Sequence, residues 1–223
     1  MVTIALVANR TTRQATAGKS DESQATMAML NQLKVEPESA LPYSGDFGGS
    51  SWQQRHGCST RALVLNAESR IQVNLETGSR CKPESGDWQS PYDNKLQTLA
   101  SALDIDHMVP KKEAWQSGAW RWSEVLRKAY KNDIGYGPSL IAVTKSENEG
   151  GKFAKGDKEP GFGSGYYLPP NTDYQCKYVG EWIAVKWRWS LSVDLTEKAN
   201  LQRLLTSCGG KIEIPMPTQV DIK

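Results

Sequence analysis

The sequence predicts an α+β protein built from short strands, short helices and long connecting segments. Compact apolar runs at 104–110 and 140–143 are typical of buried strands. Apolar residues recur at helical spacing over 178–189, and glycine- and proline-containing segments separate the elements. With 223 residues, the chain is long enough for one sizeable domain, or for one domain with an N-terminal extension.

The first 52 residues are predicted to contain little regular structure. Residues 11–24 are rich in Ser, Thr, Gln and Ala and predict a mobile arm. A short helix is expected at 27–33, and the Pro-, Gly- and Ser-rich chain from 37 to 52 should be irregular. We therefore expect residues 1–34 to form a partly flexible N-terminal arm.

Two strands and a loop are expected next. Residues 61–66 are a short, mostly apolar run, and residues 71–75 alternate strictly between apolar and polar, so both predict strands. Residues 85–93 predict a turn-rich loop that lies against the core through Trp88 and Tyr92.

The second half of the chain predicts strands and helices in alternation. A helix is expected from 123 to 131, and the strand at 140–143 leads into a polar, glycine-bearing stretch. Thr196 is expected to cap a final helix that ends near Cys208, where the next two glycines can take left-handed positions. Residues 209–223 are expected to form an extended tail.

The charge of the chain does not by itself identify a partner. The formal net charge is +2, which is nearly neutral. Lysines and arginines crowd residues 111–131, where they form either a phosphate-binding face or a solvated helix face. No stretch is long enough to span a membrane, and residues 1–8 lack the preceding basic segment of a complete secretory signal. No obligate protein partner is evident.

The four cysteines favour two local disulfides over free thiols. None lies in a Cys-x-x-Cys pair, which argues against a zinc knuckle. Their grouping suggests the bridges Cys58–Cys81 and Cys176–Cys208, and the alternative is four reduced thiols in a reducing compartment. An even count in a loop-rich chain suits an oxidising environment, so we expect a secreted or extracytoplasmic protein.

An Asp-His pair at the end of a predicted strand indicates hydrolytic chemistry. Of Asp106 and His107, one can bind a metal ion and the other can activate water, which hydrolysis of a phosphodiester requires. Asp and Asn oxygens are hard ligands suited to Mg²⁺ or Mn²⁺. Two paired strands followed by a short helix would bring Asn148 back toward Asp106. Asn132 ends the intervening helix and could orient the histidine ring.

These residues lie within a longer resemblance. Residues 104–110 resemble the HNH signature of RNA-guided DNA nucleases. Residues 35–208 are similar to the C-terminal nuclease domain of the GmrSD restriction family, and still more to its small secreted bacterial and fungal relatives. The main matching segments are 58–61, 86–93, 106–110, 113–119, 127–133, 140–143, 155–157, 168–170, 174–176 and 204–208.

The resemblance implies a fold and a set of roles. The fold would be α+β, with a ββα-metal core of the HNH or His-Me finger type, additional helices and an N-terminal extension. His107 would be the general base, and Asp106 and Asn148 would bind one divalent ion, Mg²⁺ in the first place, with Mn²⁺ or another divalent ion as alternatives. Asn132 would be the middle asparagine of the motif.

Further residues are implied with it. Glu113 would be a metal ligand or a partner of one. The implied substrate contacts are Lys155, Lys152 and Arg127. Four additional residues separate Asn148 from Lys155 compared with the family pattern, so Asp157 or Glu149 are alternatives for the third ligand position.

The predicted function is metal-dependent endonucleolytic hydrolysis of DNA, and of RNA as a second possibility, with low sequence specificity. Contacts should go mainly to the phosphate backbone, although Trp120 or Trp122 could stack on a base. Two alternatives stay open. One is a nucleic-acid-binding protein with a degenerate metal site, and the other is the same chemistry used as an interbacterial toxin or restriction effector.

Overall fold

The computed structural model describes residues 24–45, 47–150, 153–209 and 212–222, and it has the predicted α+β architecture. Most of the predicted mobile arm, together with Lys152, lies outside these ranges. The helices are α1 (24–32), α2 (Thr60–Glu68), α3 (Lys111–Gln116), α4 (Glu124–Lys131), α5 (Lys145–Glu149), α6 (Thr172–Arg188) and α7 (Leu195–Cys208). The strands are β1 (Gln54–Arg55), β2 (Cys58–Ser59), β3 (Asn74–Leu75), β4 (Pro83–Gln89), β5 (Leu96–Leu99), β6 (Leu103–His107) and β7 (Leu140–Thr144).

Strands β6 and β7 form an antiparallel pair between two apolar clusters. Asp106 pairs with Ile141, and His107 pairs with Leu140. Successive side chains of a strand point to opposite faces, so Ile141 enters the main cluster while Leu140 enters the second one. Burial on both faces explains why β7 is a compact apolar run, whereas β6 alternates Leu103 and Ile105 with acidic residues, and both predicted strands are confirmed. Helix α5 follows β7 directly and packs against both strands.

The strand predicted at 61–66 is wrong, because this segment lies in α2. The Ser59 hydroxyl accepts a hydrogen bond from the Ala62 amide (3.1 Å) and so caps the helix. Ala62 and Leu65 are buried, and the helix packs against β7. A four-residue apolar run fits a strand or a buried helix equally well, and the cap decides between them here.

The turn-rich loop predicted at 85–93 is also wrong in part, because its first half belongs to β4. This strand is the centre of a sheet with the order β3-β4-β5, and an irregular register between Ser85 and Trp88 interrupts the pairing. The Trp88 indole is buried and donates to the Leu65 carbonyl (2.8 Å). Tyr92 is fully buried as well, so the predicted packing of both rings against the core is confirmed. Of the strand predicted at 71–75, only β3 forms.

The segments on either side of residues 35–208 contribute to the main cluster. Leu30 of α1 and Ile212 of the tail are both fully buried there. Gly180 of α6 makes room for the tail, since a side chain at this position would come within 2.7 Å of Ile212. The part of the tail that the structure describes after Gly209, residues 212–222, has no regular secondary structure, as predicted, and it packs against α6.

The two C-terminal helices are longer than the sequence pattern indicates. Helix α6 begins six residues before the predicted start, and α7 is capped by Asp194, which accepts from the Glu197 amide (2.7 Å), instead of by Thr196. Gly209 takes the predicted left-handed conformation, with a φ of 55°. Within the described residues, no helix has the length and apolar character needed to cross a membrane.

Both predicted disulfides are present. Cys58–Cys81 ties the start of α2 to the turn before β4, and Cys176–Cys208 ties α6 to the end of α7. Each closes a loop of moderate length and is expected to contribute about 3 kcal/mol by restricting the unfolded chain.

Candidate active site

A groove of about 670 Å³ opens where β6, α5 and the chain after α5 meet. Asp106, His107 and Asn148 all line this groove, so the structure brings together the three residues on which the predicted chemistry depends. The other charged or aromatic side chains that line it are Trp52, Arg61, Asp104, Lys111, Lys145, Glu149, Lys155, Asp157 and Lys158.

The main chain fixes the protonation of His107. Its Nε2 lies 3.0 Å from the Lys131 carbonyl oxygen. A carbonyl only accepts hydrogen bonds, so Nε2 carries the proton and Nδ1 keeps a lone pair in the neutral ring. Nδ1 has no hydrogen-bond partner among the residues that the structure describes. Burial lowers the pKa of His107 to about 3, with the positive charge of Lys111 acting in the same direction. The imidazole is therefore a neutral acceptor at neutral pH.

Two aromatic rings hold the plane of this imidazole. Trp52 lies 5.5 Å from it at an interplanar angle of 15°, and Tyr130 lies 6.1 Å from it at 11°. The Lys131 ammonium donates to the Gly49 and Ser51 carbonyls (2.5 and 2.8 Å). These bonds attach the segment that carries Trp52 to the end of α4, whose last carbonyl holds the histidine.

Asp106 is paired with Lys155 below the groove surface. Its Oδ2 accepts from the Lys155 ammonium and from the Tyr92 hydroxyl (2.5 Å). The ammonium also donates to the His107 carbonyl (2.6 Å), and its side chain is fully buried. Burial raises the pKa of Asp106, and the positive charge of Lys155 opposes that rise. Lys155 is therefore not placed to contact phosphate as predicted, because its buried ammonium is bonded to Asp106.

Asn148 lies near the end of α5 and is almost fully buried, at 8% exposure. Its main-chain carbonyl accepts a hydrogen bond from the Gly156 backbone amide (2.9 Å), and the Glu147 main-chain carbonyl accepts one from the Lys155 backbone amide (2.9 Å). These two bonds connect α5 directly to the Lys155–Gly156 segment. The longer spacing therefore leaves Asn148 and Lys155 at the same groove.

Asn132 supports the site without contacting His107. Its Oδ1 accepts from the Gln53 amide (2.9 Å) and the Thr60 hydroxyl (2.8 Å), and its Nδ2 donates to the Lys128 carbonyl (2.9 Å). The side chain thus joins the end of α4 to the chain on both sides of the β1-β2 hairpin. Because Lys131 is the preceding residue, these bonds also fix the carbonyl that binds His107.

Glu113 does not reach the groove. It forms a buried cluster with Lys186, whose ammonium donates to Glu113 (2.7 Å) and to Glu197 (2.5 Å). Although burial alone would raise it, the pKa of Glu113 is lowered, because the Lys186 ammonium is so close. Glu113 is therefore not placed to bind a metal in the groove, because it is held by Lys186 of α6.

The remaining predicted contacts are also separated from the groove. Arg127 donates to the Trp122 carbonyl and lies 5.6 Å over the Trp115 ring, and it does not line the cavity. Trp122 is buried in the main cluster, and Trp120 lies against Arg121 outside the groove. Lys152 lies outside the described residues.

Sequence reasoning missed Trp52 and the role of Tyr92. Trp52 lies in a segment that was expected to be irregular, and no motif indicated that it reaches the histidine. Tyr92 is part of the matching segment 86–93, so a signal was present, but only the structure connects its hydroxyl to Asp106.

The donors in the groove fit a hard divalent cation. Asp106 uses only Oδ2 in its hydrogen bonds. Neither its Oδ1 nor the side-chain carboxamide of Asn148 has a hydrogen-bond partner among the described residues. Within the same part of the chain, the sets of three acidic side chains that meet within 4.8 Å contain no residue of the groove. A cation bound here would take its other ligands from water and phosphate, as Mg²⁺ does.

The groove is the candidate functional site, and comparison with known proteins identifies the family. The family model described as "GmrSD restriction endonucleases, C-terminal domain" matches residues 66–204. An uncharacterized secreted protein of Arthroderma benhamiae is 40% identical over 183 residues, covering 81% of this chain and 83% of the relative. No solved structure matches. The chain therefore belongs to the family of GmrSD restriction endonuclease C-terminal domains, and nuclease activity is the class of function that this membership supports.

Proposed function

We propose that the protein is a metal-dependent endonuclease in which β6, β7 and α5 form a ββα-metal core of the HNH type. The observation that carries the proposal is the groove itself, where a neutral histidine with a fixed proton lies beside one carboxylate and one carboxamide. Each of these groups has a distinct part in phosphodiester hydrolysis.

His107 acts as the general base. The Lys131 carbonyl keeps the proton on Nε2, so Nδ1 accepts a proton from the attacking water. The stacked rings of Trp52 and Tyr130 restrict rotation of the imidazole and therefore hold this acceptor in one direction. The low pKa of His107 keeps the ring in the reactive form throughout the neutral range.

Asp106 and Asn148 would hold the cation, Mg²⁺ in the first place or Mn²⁺. When bound there, such an ion would supply positive charge beside the phosphate and the leaving oxygen. Lys155 keeps Asp106 in place and offsets its charge from below, while Lys111, Lys145 and Lys158 line the groove and can contact phosphate.

The substrate is a nucleic acid, DNA in the first place, recognised through its backbone. The groove carries cations and carboxylates instead of a protruding helix that could read base edges, which supports low sequence specificity. An extracytoplasmic location is part of the proposal. Both disulfides and the secreted relative support it, because such bridges persist in oxidising surroundings.

Cleavage of plasmid, linear single-stranded DNA and RNA, each with Mg²⁺ and with EDTA, tests the proposal. We expect cleavage that EDTA abolishes and that His107→Asn lowers by at least about a hundredfold. His56→Asn is the matched control, since this exposed histidine does not line the groove and its left-handed backbone suits asparagine. Cleavage by the His107 variant at the wild-type rate would contradict the assignment of the base.

One observation favours a second candidate function. The Lys155 ammonium already neutralises Asp106, which is what a nucleic-acid-binding protein without a functional metal site would show. Such a protein would bind DNA with a steep salt dependence and would hydrolyse none of the three substrates with any divalent ion. The same set of assays separates the two functions.

A further inference from the structure

A second cavity, about 850 Å³ in volume, lies next to the catalytic groove and is lined by aromatic side chains. Residues on both sides of Lys155 form it, and Phe153, Phe162 and Tyr166 line it. Lys158 lines both cavities, so the two are neighbours on the surface. The chain has three phenylalanines, and Phe153 and Phe162 expose 86% and 58% of their surface here.

The loop that carries these rings is closed and supported. The Tyr167 amide donates to the Glu159 carbonyl (2.8 Å), and Gly161 in turn donates to the Tyr167 carbonyl (3.3 Å). A side chain at Gly161 would come within 2.7 Å of the Tyr166 ring, so this ring packs directly on the main chain. The loop therefore presents Phe162 from a defined turn.

We propose that this aromatic cavity binds unpaired nucleotides of the substrate strand, which makes the protein selective for single-stranded over double-stranded nucleic acid. The inference rests on the proposed nuclease function and adds a substrate class to it. Exposed aromatic faces stack on bases of any sequence, but the bases of a duplex already stack on one another and are not available. The combination of exposed rings and a cationic boundary is what a single strand recognises.

The charges around the cavity fit the phosphates of such a strand. Lys158 stands at the junction with the catalytic groove, and the Arg203 guanidinium lies 5.7 Å over the Phe162 ring. A strand whose scissile phosphate lies beside His107 can continue past Lys158, place its bases on the phenyl rings and its phosphates near these cations.

Binding without cleavage is the direct test. A labelled single strand of about 12 nucleotides, the matched duplex and the RNA of the same sequence are titrated with the full chain in EDTA, with fluorescence anisotropy as the readout. We expect tighter binding of the single strands than of the duplex. Phe162→Ala should weaken single-strand binding about tenfold and duplex binding much less, and Phe162→Trp should restore it. Phe153→Ala should act in the same direction.

Val125→Ser is the matched control, because Val125 is equally prominent, at 77% exposure, but lies on α4 outside both cavities. Equal losses for single strand and duplex, or no loss with either phenylalanine variant, would overturn the proposal. If neither phenylalanine variant weakens binding, the exposed rings do not contact nucleic acid. Cleavage with Mg²⁺ is measured separately, so a chain that binds single strands through Phe162 without cleaving them would contradict only the nuclease function.

Discussion

Replacing Lys155 with methionine should strongly destabilise the protein, because it removes one member of the buried Lys155–Asp106 ion pair. The change keeps most of the side-chain volume but leaves the Asp106 carboxylate, which is 5% exposed, with Tyr92 as its one hydrogen-bond donor among the described residues. Removing one member of a buried ion pair costs about 3–5 kcal/mol, because the remaining charge is left without compensation. Asp106→Asn should cost a similar amount, since it leaves the ammonium unpaired.

The double variant separates pairing from chemistry. With both charges removed, the loss of stability should be about 3 kcal/mol smaller than the sum of the two single losses. Urea unfolding at fixed pH, with the disulfides intact, measures each free energy of unfolding. Cleavage should be absent from the double variant in spite of its recovered stability, because the proposed metal ligand is gone.

Lys82→Met provides the control for loss of a lysine, since its ion pair with Glu76 (2.7 Å) is exposed and should contribute less than about 1 kcal/mol. Additive losses in the double variant, or a Lys155→Met protein as stable as the wild type, would refute the reasoning.

Two further predictions concern the stacked histidine and a buried carboxyl. Trp52→Ala should lower the cleavage rate about tenfold, because the imidazole loses a ring stacked parallel to it. Trp52→Phe should retain most of the rate. Single-turnover kinetics, with KM measured in parallel, would show whether substrate binding changes instead. Burial raises the pKa of Glu181 to about 7, so its contribution to stability is complete below pH 4.5 and is lost as the pH rises to about 7. Thermal unfolding between pH 4.5 and 8 should therefore show a decline that Glu181→Gln reduces, and an unchanged decline in this variant would contradict the assignment.

The parts of the fold that could be predicted are those whose signal is local. The apolar run of β7 is visible in the sequence alone because this strand is buried on both faces, and β6 is visible as Leu103 and Ile105 alternating with acidic residues. The run at 61–66 is equally apolar, but its state depends on the Ser59 cap and on packing against β7. Strand β4 was missed because its polar, glycine-containing sequence becomes a strand only between two partners.

The candidate site divides in the same way. Asp106, His107 and Asn148 could be found because their spacing follows a known pattern, and the structure lines one groove with them. Lys155 was predicted to contact substrate and Glu113 to bind or support the metal, because nothing in their local sequence indicates a buried partner. Their partners lie 49 and 73 residues away, at Asp106 and Lys186. An ion pair formed over such separations can be recognised only when the chain is folded.

The histidine anchor has a consequence for how this protein can change over time. The acceptor that sets the imidazole tautomer is the carbonyl oxygen of residue 131, which every amino acid provides. Point substitution at that position can move the acceptor but cannot delete it. Substitution of Lys131 would break its bonds to the Gly49 and Ser51 carbonyls but leave the carbonyl acceptor in place, whereas substitution of Asn132 would release the backbone path itself, so a mutational scan should show residue 132 as the less tolerant of the two. The tautomer of His107 therefore depends on the path of the main chain at residue 131, and a substitution changes it only by moving that path.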